Sequence, residues 1–522
     1  MSENEETSQP VESIPPTPET EKPPIHWIWK ALVTGAALTA AANYLIYSRG
    51  PGAGWAVFFL LLAVGIFLNR RNSGMIRGVE IALGVLLAIS AVQMIVRPSF
   101  SNAVVLFTLT LLASTHFLQD GASDTPAARK LAEALRNLFL SPMRWRQASS
   151  LVAKDGIAHA PSIATNMPSP KTLSRLVQII IPAALLILPF AILLGTGNGI
   201  LGQFISNLVD DFLKDVTEIT PPSPMRIVFV AAIATAMLGI LWRSSPSKIL
   251  DKVLTTCCKT IPAPGDHFVA RWRTILILAG VNILFFVSNS IDLTYIGSDL
   301  ELPRHLTYSE FVHQGTNSLI ASAMIAALVL GVLFQQHESV TKARSIRLLA
   351  LIWIAQNVLL IINVARRVGI YVGDYHLSVL RLHLLLFLVL VCAGFALLAI
   401  RIQQNKSFGW LVSANLAAVF VLFATLQFWD TRATVANYNL ARAEEDEDKT
   451  LDLYYLSQLG PSAWKVIQEA STSQKLSTDE RTEAAERLAN LAVQEERRAY
   501  EEDWRDFRWI RSSLRRELLA VH

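Results

Sequence analysis

The chain has 522 residues, of which 52% are hydrophobic and 17% charged, with a formal net charge of +4 and a mean hydropathy of +0.38. A soluble domain carries roughly 25% charged residues, so this composition excludes a soluble globular fold for most of the length, and no nucleic-acid partner is expected. The class it fits is an all-α, polytopic transmembrane helical bundle of about eleven spans with a C-terminal soluble helical tail.

Residues 1–25 are rich in Pro, Glu, Ser and Thr; they bury too little apolar surface to offset ordering entropy and are expected to be disordered. No basic stretch and short apolar run with a cleavage site precedes the first span, so no removable signal peptide is expected. Apolar runs follow near 31–47, 54–68, 78–96 and 102–118, making residues 26–119 a first group of four transmembrane helices.

Residues 120–175 form a basic linker, and the loop 119–175 holds eight basic and four acidic residues. Asp124 or Thr125 can cap a helix with Pro126 at its first position. Leu131, Leu135, Leu138 and Phe139 fall on one face and Trp145 sits between two arginines, the pattern of a helix lying on the inner leaflet; a plain linker between two bundles is the alternative.

Residues 176–429 carry the remaining runs, near 176–196, 225–242, 274–296, 317–335, 347–364, 379–400 and 408–428. Basic residues cluster at every second connection, including Arg70, Arg71 and Arg77, then Lys342, Arg344 and Arg347, while Asp210, Asp211, Asp215 and Glu218 occupy an alternate one. Cations near membrane ends stay cytoplasmic. The expected orientation is therefore a cytoplasmic N-terminus and an extracytoplasmic C-terminus.

One outward connection breaks the charge rule. In NVARRVGIYVGDYHLSVLR, residues 363–381, Arg366, Arg367 and Arg381 outweigh Asp374. As a helix this stretch aligns Arg367, Tyr371 and Tyr375 for cation–π contact, and Gly369 and Gly373 suit close approach of another backbone. Ion pairing with Asp292 or Asp374 is the plainer role; holding a lipid headgroup or another anion, or lining a transport path, is the functional one. Asn282, Asn357 and Asn363 are expected to bond between helices.

Thr307 and Glu310 read as a capping box. Glu310 and His313 have the spacing of a metal pair, but no second pair accompanies them, so no metal is expected. Cys257, Cys258 and Cys392 read as small hydrophobes. No nucleophile, phosphate loop or zinc motif occurs in context. No catalytic residue and no cofactor is expected, which disfavours an enzyme.

Residues 430–522 are a charged extracytoplasmic helical tail with 14 basic and 19 acidic residues. A short helix, a Gly460–Pro461 break and a second helix are expected, then a long helix opened by a Ser477–Glu480 capping box. Its end aligns Phe507, Ile510, Leu514, Leu518 and Val521, a stripe suited to core packing, an envelope protein partner or the outer leaflet.

Four elements in order, the segments NGILGQFISNL with PPSPMRIVF, LTYSEFVHQG, RRVGIYVGDYHLSVLR, and VANYNL with DLYYLSQLGPSA, resemble the bacterial multi-pass membrane family called domain of unknown function 4173, with the related 4153 group nearby. The resemblance covers roughly residues 170–470 and implies a bacterial inner-membrane location without an assigned activity. The Y-G-L-T-x-x-R pattern of that family stands here as Tyr375-His376-Leu377-Ser378-Val379-Leu380-Arg381, with His for Gly and Ser for Thr, so the resemblance does not by itself imply a special glycine turn there. The leading expectation is a non-enzymatic membrane protein presenting an outward helical interaction or signalling module. The alternative is a transporter or lipid-handling permease that binds an anion at the arginine loop.

Overall fold

A computed structural model describes residues 25–70, 78–118, 127–159, 223–243, 267–297, 308–334, 343–446 and 449–521. Among these residues every regular element is helical. The first group comprises α1 (Ile25–Leu45), α2 (Ala53–Leu68), α3 (Gly78–Val96), α4 (Phe100–Leu118), α5 (Ala127–Phe139), α6 (Ser141–His159) and α7 (Pro224–Leu241). The second comprises α8 (His267–Gly297), α9 (Tyr308–Leu333), α10 (Arg344–Tyr375), α11 (Val379–Gln404) and α12 (Phe408–Leu426). The tail holds α13 (Thr431–Glu445), α14 (Leu453–Gln458), α15 (Pro461–Thr472), α16 (Thr478–Glu501), a 3-10 turn η1 (Trp504–Asp506) and α17 (Trp509–Val521).

Six helices, α3, α4, α7, α10, α11 and α12, are long and apolar enough to cross a membrane; α2 and parts of α8 and α9 are apolar but shorter. Ten of the eleven expected runs fall on described helices, and the run at 176–196 lies outside the described residues. Residues 1–24, the proposed caps Asp124 and Thr125, and Thr307 also lie outside them. In α5 the expected stripe is split: Leu131 and Leu138 pack on the first core beside buried Glu133, Ala134 and Asn137, whereas Leu135 and Phe139 are exposed.

Three apolar cores organise the chain. Trp27, Ile28, Leu62, Leu106 and Leu241 centre the first. Leu278, Leu330, Trp353 and Phe395 centre the second, and α12 touches both, through Phe420 and Phe423 on one side and Leu411 on the other. The third lies in the tail around Val435, Leu456, Trp464 and Ile467 and runs on into Val368, Val372 and Leu377. Burying a side chain of this size stabilises the fold by about 1.5–3 kcal/mol, so the tail is welded to the end of α10 rather than tethered by a linker.

Between α8 and α10 two of the three expected amides, Asn282 and Asn363, bridge helices, joined by Asn289, which is not among those expected. Asn282 Nδ2 donates to the Leu349 carbonyl at 3.0 Å and Asn289 Nδ2 to the Gln356 carbonyl at 3.1 Å. Both donors and both acceptors are spaced by seven residues in the same direction, so the two helices run parallel with a heptad-like seam. Asn363 Nδ2 reaches Asn289 Oδ1 at 3.5 Å, whereas Asn357 bonds only within its own helix, to Trp353.

Polar contacts divide the helix ends into two faces. On one, Tyr47 meets Ser223 at 2.8 Å, Arg97 meets Asp430 at 3.2 Å, and the α10–α11 turn meets the tail. On the other, Arg243 donates to the carbonyls of Asn69 and Arg70, Arg347 to Asn405 Oδ1, and Arg401 to the Gly331 carbonyl. Trp27, Trp242, Arg243 and Arg144 stack at that same opposite face.

Candidate functional site

The arginine stretch is the last part of α10, a three-residue turn and the start of α11. His376 ends α10 with φ 63 and ψ 165, a backbone region that favours glycine. Ser378 then caps α11, accepting a bond from the Arg381 amide at 3.3 Å. Arg381 folds back: Nη1 donates to the Tyr375 carbonyl at 2.9 Å and to the His376 carbonyl, and the guanidinium lies 4.4 Å from the Tyr371 ring centroid. A cation here satisfies carbonyls that the helix end leaves open and opposes the negative end of its dipole. Tyr371 and Tyr375 stack at 4.5 Å with 22° between their planes.

The face expected to align Arg367 with Tyr371 and Tyr375 holds the two tyrosines against each other, and Arg381, from beyond the helix, lies over Tyr371. Arg367 is buried in α10 and Arg366 is exposed. At Gly369 and Gly373, where close approach of another backbone is expected, nothing among the described residues lies within 4 Å of a Cβ built at either. The side chains of Asp292, Glu310 and Asp374, for which ion pairing and a helix cap are expected, lie outside the described part of the structure. No group of three or more His, Cys, Asp or Glu side chains suited to a metal occurs among the described residues.

The tail reads this turn through its backbone. Asn439 on α13 accepts from the Leu377 amide and donates to the Leu377 carbonyl, both at 2.9 Å, and the Tyr455 hydroxyl accepts from the Val379 amide at 2.9 Å. Asn439 is itself buried. The turn is thus held by an amide that matches its donor and acceptor together, a recognition no apolar side chain provides.

A second junction joins η1 to the α1–α2 connection. Arg49 pairs with Asp503 at 3.1 Å and Asp506 at 3.4 Å, and Asp506 Oδ1 accepts from the Gly50 amide at 2.7 Å. Arg505 donates to the Tyr44 carbonyl and stacks over its ring, while the Ala53 amide donates to the Phe507 carbonyl at 3.1 Å. A Cβ at Gly54 would strike the Leu45 carbonyl and sit 3.2 Å from Arg505, so glycine permits the approach. Hydrogen bonds from the Arg505 side chain and backbone, with the nearby Arg49 charge, hold the Asp503 carboxyl far below the usual carboxylate range.

This junction corrects the single long helix expected at the end of the chain. α16 stops at Glu501, Asp503 accepts from the Arg505 amide in a tight turn, and α17 starts at Trp509. Leu514 and Leu518 pack on the tail core as the stripe predicts, but Phe507 lies in the break, with its carbonyl bonded to Ala53. Buried Glu495 then fastens α16 to α17: Arg511 donates to it at 2.7 and 3.1 Å, Arg498 at 3.0 Å, and Arg515 lies at 3.4 Å. Burial alone raises its pKa, yet the arginine hydrogen bonds and charges outweigh this and hold it below the ordinary value.

With this geometry in view, comparison with protein families matches residues 79–470, from the start of α3 to the end of α15. The chain belongs to the family described as a domain of unknown function, DUF4153. This is the related group named beside 4173 in the resemblance; the 4173 assignment itself is not shown. No curated protein and no solved structure matches the chain. The DUF4153 segment includes the whole α10–α11 turn with Asn439 and Tyr455, whereas both sides of the Arg49–Asp503 junction lie outside it.

Sequence reasoning missed Asn439, Tyr455, Arg49, Asp503 and Arg505 as contact residues. VANYNL and DLYYLSQLGPSA contain the first two, and an asparagine on the face shared by Val435, Ala436, Leu440 and Ala443 is the signal for a buried polar anchor. Nothing in the sequence pairs Arg49 with a residue more than 450 positions away.

Proposed function

We propose that this DUF4153 chain is a multi-pass, non-enzymatic plasma-membrane protein with a cytoplasmic N-terminus and an extracytoplasmic C-terminus, which presents its helical tail to an envelope protein partner. The observation that carries this reading is the fastening of the tail at two separate places, Leu377–Asn439 and Arg49–Asp503. A module held this way displays its remaining surface in a fixed orientation, which lowers the ordering cost of binding. Tyr454, Tyr500, Trp504 and Trp509 remain exposed on it, and aromatic side chains dominate the energetics of protein interfaces.

The orientation is supported by charge: the face opposite the tail gathers Arg243, Arg347 and Arg401 at its helix ends, as cytoplasmic ends do. The permease reading gains less, because Arg381 is already committed to the carbonyls of Tyr375 and His376.

The test uses the full chain in cells, with a compartment-sensitive reporter after the last residue and a photoreactive residue at Tyr454 or Tyr500. The expected result is a reporter active only outside the cytosol and a discrete protein adduct at one of these positions, lost when Asn439 is replaced. A cytosolic reporter overturns the orientation, and absence of any position-specific protein adduct overturns the interaction module.

A further inference from the structure

A cavity of about 500 Å³ lies between α1 and α7, far from the arginine turn. Ala31, Gly35, Thr39 and Asn43 line it from α1, and Val230, Ala234 and Leu238 from α7, each series at the spacing that places residues on one helix face. Trp145 of α6 also lines it. Over Ala31 to Asn43 a helix rises about 18 Å, slightly more than half of a hydrocarbon core of about 30 Å. Small residues on α1 leave room that larger ones would fill, and the walls are apolar except near the tail-side end.

At that end the groove meets a fixed cation. Arg226 Nε donates to Asn43 Oδ1 at 2.8 Å, and its guanidinium lies 5.4 Å from the centroid of the Tyr47 ring. Tyr47 is in turn held by Ser223, the N-cap of α7, at 2.8 Å. Among the described residues no carboxylate pairs with Arg226, which is exposed. The N-terminus of α7 adds partial positive charge at the same place. One apolar trough with one oriented arginine at its rim, unpaired with any carboxylate among the described residues, is complementary to a phosphate ester carrying an acyl chain.

We infer that the α1–α7 groove binds an anionic glycerophospholipid, its phosphate on Arg226 and one acyl chain along Gly35 and Thr39 toward Trp145. The site lies outside the arginine turn and the tail, so it goes beyond the interaction role proposed above. Its occupant comes from the leaflet on the tail side, and α1, which is outside the DUF4153 match, supplies half of its wall.

The full-length protein is reconstituted in phosphatidylglycerol bilayers containing a phosphatidylglycerol with a photoreactive acyl chain, and labelled peptides are mapped by mass spectrometry. The expected labels fall on peptides holding Thr39 and Ala234, compete with unlabelled phosphatidylglycerol, and drop about fivefold in Arg226→Gln, the worth of one basic residue at an anionic surface. Ala234→Phe, which fills the groove, removes the same labels, while labelling at exposed Leu86 of α3 stays constant in both variants and reports intact insertion. Equal labelling of the groove in wild type and both variants overturns the inference. So does a photoreactive residue at Ala40 that captures a peptide of this chain, or of a second copy, in place of lipid.

Discussion

Asn439 forms a closed pair of hydrogen bonds with the backbone of Leu377, donor to acceptor and acceptor to donor, both 2.9 Å long. The two residues are 62 positions apart, and the pair sits where the third core passes from the tail into α10. It is one of the places at which the tail is fastened to the bundle.

Replacing Asn439 by Ala leaves a buried amide and a buried carbonyl without partners. Each orphan costs about 1–3 kcal/mol, so Asn439→Ala is expected to lower the melting temperature of the purified protein and expose the tail to protease, with the bundle still folded. An unchanged melting temperature and unchanged proteolysis remove the anchoring role.

His376 occupies a positive-φ position of the kind that glycine fills most readily. Such a conformation costs a side-chain-bearing residue about 1–3 kcal/mol, and glycine returns about 0.4–1 kcal/mol of that through the unfolded chain. His376→Gly is therefore expected to raise stability by about 1 kcal/mol, and His376→Val to lower it. Thermal unfolding of the two variants side by side checks the sign.

Glu495 makes the α16–α17 hairpin acid-sensitive. Its folded pKa is below its unfolded value, so its contribution is complete above the ordinary glutamate pKa of about 4.3 and is lost as pH falls through the lower folded value. Protease cleavage near 502–508 should rise in that acid window. Glu495→Gln should be cleaved already at neutral pH, because loss of a buried ionic partner costs about 3 kcal/mol, and its cleavage should depend less on acid.

At the second junction, sterics should outweigh charge. Arg49 is partly exposed, and such pairs contribute about 0–1 kcal/mol, so Arg49→Ala should loosen η1 only slightly. Gly54→Val places atoms against the Leu45 carbonyl and Arg505 and should undock η1. Limited proteolysis at 502–508 reads the difference: near-normal resistance in the first variant, rapid cleavage in the second.

The α8–α10 amides predict a small effect. Interhelical side-chain bonds in membranes average about 0.6 kcal/mol, so Asn282→Leu and Asn289→Leu should each shift stability by about that amount. A loss several times larger in either would show that the parallel seam depends on its polar pairs.

Class and helix positions were legible because apolar runs and caps are local quantities. Ten apolar runs became helices, the Ser477–Glu480 capping box formed with both of its reciprocal bonds, and Pro461 opened α15 after Gly460. The tyrosine stack was legible for the same reason, since residues four apart share a helix face. The missed break at Glu502 is different in kind: its residues are compatible with helix, and the docking of Asp506 and Phe507 on Gly50 and Ala53 goes with a turn instead.

By itself the sequence determined that this chain is helical and rich in membrane-compatible segments, because burial in a low-dielectric medium requires long apolar runs with internally bonded backbones. Only the tertiary structure decided that Arg381 lies over Tyr371, that among the described residues nothing comes within 4 Å of a Cβ at Gly369 or Gly373 while Gly54 is pressed against Leu45, and that Arg226 stands at the rim of a groove. These are contacts between positions as many as 461 residues apart, and no local periodicity encodes a pairing that exists only once the helices have packed.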